Sequence, residues 1–336
     1  MLEQPNILIT GGCSYSQVPN RDISWPIHLQ ELPSIRYVAH TGHGSAGNQI
    51  ISRKVISKVL EAIDAGHKTK DMLVGVMWSG CDRQSHYSPK RNHNWDRITV
   101  LGPAKEDYDA VLNTEVLPII DLQDGTVETV EEKMRSQWQT SCNPLSIRNH
   151  KNPSHYIFNA HWNDDMTSHY FERFVNPDKA VIETCEHILR TQWFLKEKGI
   201  KYFFTEYDND VFTYHGPHGY GHISDDHPGH NFRPGDDPFG KLYSKHSECI
   251  QYPGEFTREV HEKCINDPEI NYLYNAIDKD YFLPIKHLGH WAKDISEFDF
   301  AREGDPHPST EQHKDFTQQI ILPFLLEKYN ISSYNV

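Results

Sequence analysis

Four short segments of this chain carry residue types that can do chemistry together. They are Gly11-Gly12-Cys13-Ser14-Tyr15-Ser16, Gly42 to Asn48, Trp78 to Arg83, and Gly304-Asp305-Pro306-His307-Pro308-Ser309. The first sets a hydroxyl, Ser14, on a glycine-softened turn. The last sets a histidine, His307, two residues after a carboxylate, Asp305. A serine hydroxyl is a weak nucleophile until a base takes its proton, and an imidazole does this best when a carboxylate fixes its tautomer. The glycine-rich segment can offer backbone N–H groups to an oxygen that gains negative charge during acyl transfer. Ser14 as nucleophile, His307 as general base and Asp305 as orienting carboxylate make up one serine acyl-enzyme mechanism. Cys13 is the competing nucleophile, because a thiolate is intrinsically strong. Each residue also has a plainer reading: Ser14 as a turn cap, His307 as a loop residue bonded to backbone, Asp305 as a turn former.

Such segments cooperate only if the elements beneath them bring their ends to one edge. Asn6 to Thr10 is a β-branched run broken by Gly11-Gly12, the pattern of a buried strand meeting a tight turn. Ser24 before Trp25-Pro26 predicts a helix start, and Arg36 to Ala39 a second strand. The clearest helix spans about Ser45 to Ala65, with Ile51, Val55 and Val59 sharing a face with Ile56, Leu60 and Ile63, and Gly66 as the stop. Met72 to Trp78 is continuously apolar, as expected of a strand covered on both faces. A helix over about Lys179 to Lys198 leads into a strand at Lys201 to Thr205. Ser309 with Gln312 is a capping-box pattern, opening a helix that continues to about Lys328. This alternation predicts a doubly wound α/β domain with a parallel sheet, whose strand ends carry the four segments. Residues 84–177 and 208–268 are too long and polar for ordinary connections, and are expected as insertions within a single domain spanning 1–336.

With those segments in view, the chain resembles the SGNH/GDSL-like hydrolase superfamily, in its divergent form whose first block reads Gly-Cys-Ser-Tyr. Gly12-Cys13-Ser14 stands at that block, the 42–48 segment looks like the second, and Asp305-Pro306-His307-Pro308 resembles the last. The resemblance implies a flavodoxin-like three-layer sandwich with a mostly parallel sheet. It also implies a Ser14–His307–Asp305 triad and Gly44 as a backbone oxyanion donor. Three departures stand out. Cys13 replaces the aspartate of the first block, which is not a triad member. The third block lacks its asparagine, so Ser79, Gly80 or Asn48 is the substitute oxyanion contact. Asp305 lies two residues before His307 rather than the usual three. The resemblance implies an ester hydrolase, with a carbohydrate O-acetyl group as the preferred substrate. Arg83 is the candidate for an anionic part of the substrate, with pairing to Asp82 as its alternative.

Bulk composition bounds the rest. A net charge of −14 over 336 residues argues against non-specific nucleic-acid or anionic-lipid partners. The apolar fraction is 37% with 12% aromatic residues, enough for a sizeable core. No apolar run approaches a membrane span, and no basic region precedes the first one, so a cytoplasmic protein without a signal peptide is expected. The six cysteines form no CxxC pair, which speaks against a disulfide framework or a Cys-type zinc site. His215, His218, His222, His227 and His230 lie among Asp225, Asp226, Asp236 and Asp237, but without an H-E-x-x-H helix. No metal and no cofactor is therefore expected. Two other function classes stay open: a catalytically silent SGNH-like binding or structural module, and a metal-dependent hydrolase centred on the His-rich loop.

Overall fold

Ile7–Gly11 forms β1 of the computed structural model, with all five residues buried. The structure describes residues 4–18, 23–42, 44, 46–81, 83–87, 98–100, 120–121, 155–159, 170, 173–175, 177–207, 268–300 and 307–332. Beside β1 lie β2 (Tyr37–His40) and β3 (Met72–Trp78), both parallel to it, with Ile7 in register with Tyr37 and Met72. Two short strands, β4 (Arg83–Tyr87) and β5 (Ile98–Val100), follow, then β6 (Ile120–Asp121), which edges β2 antiparallel. β7 (His155–Asn159) joins β4 and β5 in a small second sheet ordered β4-β7-β5. β8 (Lys201–Glu206) pairs parallel with β3, and β9 (Phe282–His287) pairs parallel with β8 across an irregularity between Phe204 and Glu206. The main sheet is thus ordered β6-β2-β1-β3-β8-β9, five of its strands parallel.

The α-helices of five or more described residues are α1 (Trp25–Leu29), α2 (Asn48–Asp64), α3 (Pro177–Glu197), α4 (Pro268–Ala276), α5 (Thr310–Phe316) and α6 (Leu322–Tyr329). α2 packs on α3, which carries α4, while α1 packs on α5. A side chain at Gly11 would run into Val55 of α2. One at Gly75, opposite Thr10 in the register, would meet Trp25 of α1 at 3.0 Å. Successive strand positions face opposite sides, so α2 and α1 cover opposite faces of the sheet. This is the doubly wound arrangement that the alternation predicts, and it buries all seven residues of β3.

Most predicted elements appear within a residue or two of their expected limits. α2 starts later than predicted, and its apolar stripe is narrower. Ile51, Val55, Val59 and Ala62 are buried, whereas Leu60 faces solvent. The predicted last helix is interrupted by a π-helical turn at Thr317–Ile321, just before Pro323, whose missing N–H cannot continue the ladder. β9 escaped the sequence reading. It is an edge strand carrying an exposed Pro284, and proline hides strand character except at an edge. Within the stretch 84–177, β4, β5 and β7 make a sheet of their own. The His-rich stretch lies outside the described residues. Among the described residues, no helix is long and apolar enough to cross a membrane.

Candidate active site

The turn that carries Ser14 is built by close approach. β1 ends at Gly11, and the chain folds at Cys13 into a single 3-10 turn, Ser14–Ser16. A Cβ at Gly12 would lie 2.8 Å from the Ser16 Cβ and 3.0 Å from the Met77 Cβ, so only glycine lets the turn settle onto β3. Gly42 plays the same part from the next loop, where a Cβ would come within 2.7 Å of the Ser16 carbonyl carbon. Ser16 itself is fully buried. Its Oγ accepts the Trp25 indole N–H at 2.9 Å and donates to the Met77 sulfur at 3.3 Å. The turn is therefore pinned from α1, β3 and the 42 loop at once, and Ser14 is left half-buried at its outer corner.

His307 comes from the far end of the chain. The residue two after it, Ser309, caps α5: its Oγ accepts the Gln312 N–H at 3.3 Å, and the Gln312 Oε1 accepts the Ser309 N–H at 2.9 Å. This reciprocal cap fixes the start of the helix and, with it, the approach of the loop that carries His307. The His307 Nε2 lies 2.9 Å from the Ser14 Oγ, across 293 positions of sequence. In the tautomer with its proton on Nδ1, the imidazole accepts the serine hydroxyl at Nε2, an arrangement in which a base can take a hydroxyl proton. Tyr15 stands edge-on to the imidazole, with ring centroids 5.0 Å apart and planes at 61°. Behind it, buried His313 accepts the Trp25 backbone N–H at Nδ1. Burial, reinforced by His28 and His307 nearby, pushes the His313 pKa down to about 3, so this second imidazole is neutral.

The remaining sequence candidates fall as follows. The Gly44 N–H donates to the side-chain oxygen of Gln17 at 3.0 Å, so the loop after Gly42 is tied to the residue that ends the Ser14 turn. Asn48 opens α2, and Ser79 follows β3. The Asn48 Nδ2 donates to the Ser79 carbonyl at 2.7 Å, and the Ser79 N–H donates to the Asn48 Oδ1 at 2.8 Å. Both are buried, and they bond to each other. Arg83 lays its guanidinium over the Tyr207 ring at 4.6 Å, and Tyr207 meets Tyr15 edge-on at 5.6 Å. Asp305 lies outside the described residues. Cys13 is fully buried beneath the turn, unlike its neighbour Ser14.

No family model, curated protein or solved structure matches this chain. Ser14 and His307, picked from sequence, are brought together. Ser16, Gln17, Tyr15 and Trp25 are the contributors that sequence reasoning missed. Ser16 and Tyr15 flank Ser14 within the same motif, but nothing local shows that one is buried as an anchor while another borders the imidazole. Among the described residues, no cluster of His, Cys, Asp or Glu is arranged to hold a metal ion.

Proposed function

We propose that this chain is a serine ester hydrolase of the SGNH type, with a carbohydrate O-acetyl group as the preferred substrate. The observation that carries the proposal is the 2.9 Å contact between the Ser14 Oγ and the His307 Nε2. The fold supports it. The parallel strands run β2-β1-β3-β8-β9, the order of a flavodoxin-like sheet, in which ligands bind outside the carboxyl ends of the strands. Ser14 follows the carboxyl end of β1, at that edge.

In the proposed reaction the Ser14 Oγ attacks the acyl carbon while the His307 Nε2 takes the hydroxyl proton. Negative charge collects on the former carbonyl oxygen, with the Ser14 and Gly44 N–H groups as its donors. The C–O bond to the alcohol then breaks, and His307 gives its proton to the departing oxygen. Water attacks the acyl-Ser14 ester, losing a proton to His307, and the acid leaves as Ser14 is reprotonated. Asp305 is the proposed partner of the imidazole Nδ1–H. The mutual bonding of Asn48 and Ser79 gives them a supporting role, holding the start of α2 against the loop after β3.

The test is covalent labelling with a fluorophosphonate, with the modified residue located by mass spectrometry. The adduct is expected on Ser14, and Ser14→Ala should lose both the label and p-nitrophenyl acetate hydrolysis. Label on Cys13 would replace the serine with the thiol. A folded protein that neither labels nor turns over would favour a silent binding module. Loss of turnover on prolonged chelation would favour the metal-dependent reading.

A further inference from the structure

Gln17 joins the Ser14 turn to the 42 loop through both its backbone and its side chain. Its N–H donates to the Ser14 carbonyl at 3.3 Å, and its carbonyl accepts the Ser24 hydroxyl at 2.9 Å. It also forms a parallel bridge with Gly42. The main chain is therefore held on three sides. The side chain is half-buried and reaches across to the loop beyond Gly42, where its Oε1 accepts the Gly44 N–H at 3.0 Å. A carboxamide oxygen is an sp² carbonyl acceptor, the same kind of atom as the acyl oxygen of an ester. The donor it engages is the one assigned to the oxyanion.

We infer that Gln17 is an internal stand-in for substrate: its side-chain carbonyl occupies the Gly44 N–H in the resting enzyme and is displaced when an acyl oxygen arrives. The inference rests on the hydrolase reading of this site and adds a self-blocking contact to it. An unpaired N–H at a half-built oxyanion hole would be solvated or would let its loop drift, and the glutamine keeps it aimed. The cost is competition. Each substrate must break a neutral hydrogen bond before it gains its own, and such a bond is worth roughly a 2- to 10-fold factor.

Gln17→Ala and the near-isosteric Gln17→Met both remove the acceptor, the second while keeping the bulk of the side chain. Each is expected to raise kcat/KM for p-nitrophenyl acetate, and the rate of fluorophosphonate labelling, by roughly 2- to 10-fold. Gln17→Glu puts a charged acceptor on the same N–H and should slow both rates by at least as much. The Gly44 amide is followed separately in a 15N–1H spectrum, which needs no turnover. It should exchange faster with solvent in Gln17→Ala and should shift in wild-type protein once Ser14 is phosphonylated. Slower or unchanged kinetics in Gln17→Ala and Gln17→Met would make Gln17 a prop for the loop and overturn the inference, as would a Gly44 amide that ignores both the substitution and the adduct. Failure of the hydrolase reading looks different, because then wild-type protein itself takes no label at Ser14.

Discussion

Asn48 and Ser79 satisfy one another at both ends, carboxamide to peptide, at 2.7 and 2.8 Å. The pair ties the first residue of α2 to the loop leaving β3, and it does so where both residues are buried. Asn48→Ala leaves the Ser79 N–H and C=O without their partner in a place water does not reach. The expected loss is about 1–3 kcal/mol for each group left unsatisfied, read as a lower urea midpoint. A midpoint within error of wild type would mean that the two loops are held by something else.

The Ser14–His307 contact predicts unequal roles for neighbours that look alike in sequence. Ser14→Ala and His307→Ala should each lower kcat for p-nitrophenyl acetate on the order of 10⁴-fold or more, with no further loss in the double variant. Cys13→Ala, a change beneath the turn, should keep most of the activity. Additive losses would show that Ser14 and His307 do not act as one unit.

Asp305 is proposed from the resemblance of the last motif, although it stands two residues before His307 rather than the usual three. If it orients the His307 imidazole, Asp305→Asn should depress kcat by about 10⁴-fold, because the amide favours the wrong tautomer. A nearly full rate, with Ser14 and His307 still essential, would reduce the site to a dyad or move the role to Glu303.

Ser16 is the anchor of the turn rather than a reactant. Ser16→Ala strands the buried Trp25 indole N–H that now donates to its Oγ at 2.9 Å. The expected stability loss is about 1–3 kcal/mol. Displacement of Ser14 should lower kcat roughly 10- to 100-fold, with KM much less affected. A Ser16→Ala enzyme at full speed and full stability would show that the glycines alone place the turn.

Three histidines, His40 and His313 buried and His187 half-buried, predict acid sensitivity. Burial lowers His40 and His313 to about 3, while burial, Arg190 and Arg53 lower His187 to about 4. His40 illustrates the cause: its buried ring lies against the Thr10 hydroxyl at 2.7 Å and the Gln30 Oε1 at 3.1 Å, both uncharged groups. In the unfolded chain these histidines titrate near ~6.5. Their folded pKa values lie below that, so the unfolded state binds more protons as pH falls. Stability is full above about pH 6.5 and is lost toward pH 4, by roughly 2 kcal/mol per histidine at pH 5. Urea unfolding at pH 7.5 and pH 5 measures this, and a flat profile over that span would contradict the burial of these rings.

The elements were legible locally because their signals are local. The continuous apolar run of Met72–Trp78, the β-branched run before Gly11 and the Ser309–Gln312 cap each state their conformation within a few residues, and the structure agrees. Motif chemistry likewise singled out Ser14 and His307 from residue type and order. Pairing them required the fold, since no local rule brings together two side chains 293 positions apart. The same holds for which donor meets which acceptor. Asn48 and Ser79 are equal candidates for an oxyanion contact in sequence, and only the packing of α2 beside β3 turns them toward each other. Gly12 and Gly42 look like flexible turn residues along the chain. In space they are gaps that Ser16 fills, because backbone segments distant in sequence approach too closely there for a Cβ. Proline concealed β9 for the complementary reason: an edge position forgives the missing N–H, and whether a strand lies at an edge is decided by the whole sheet.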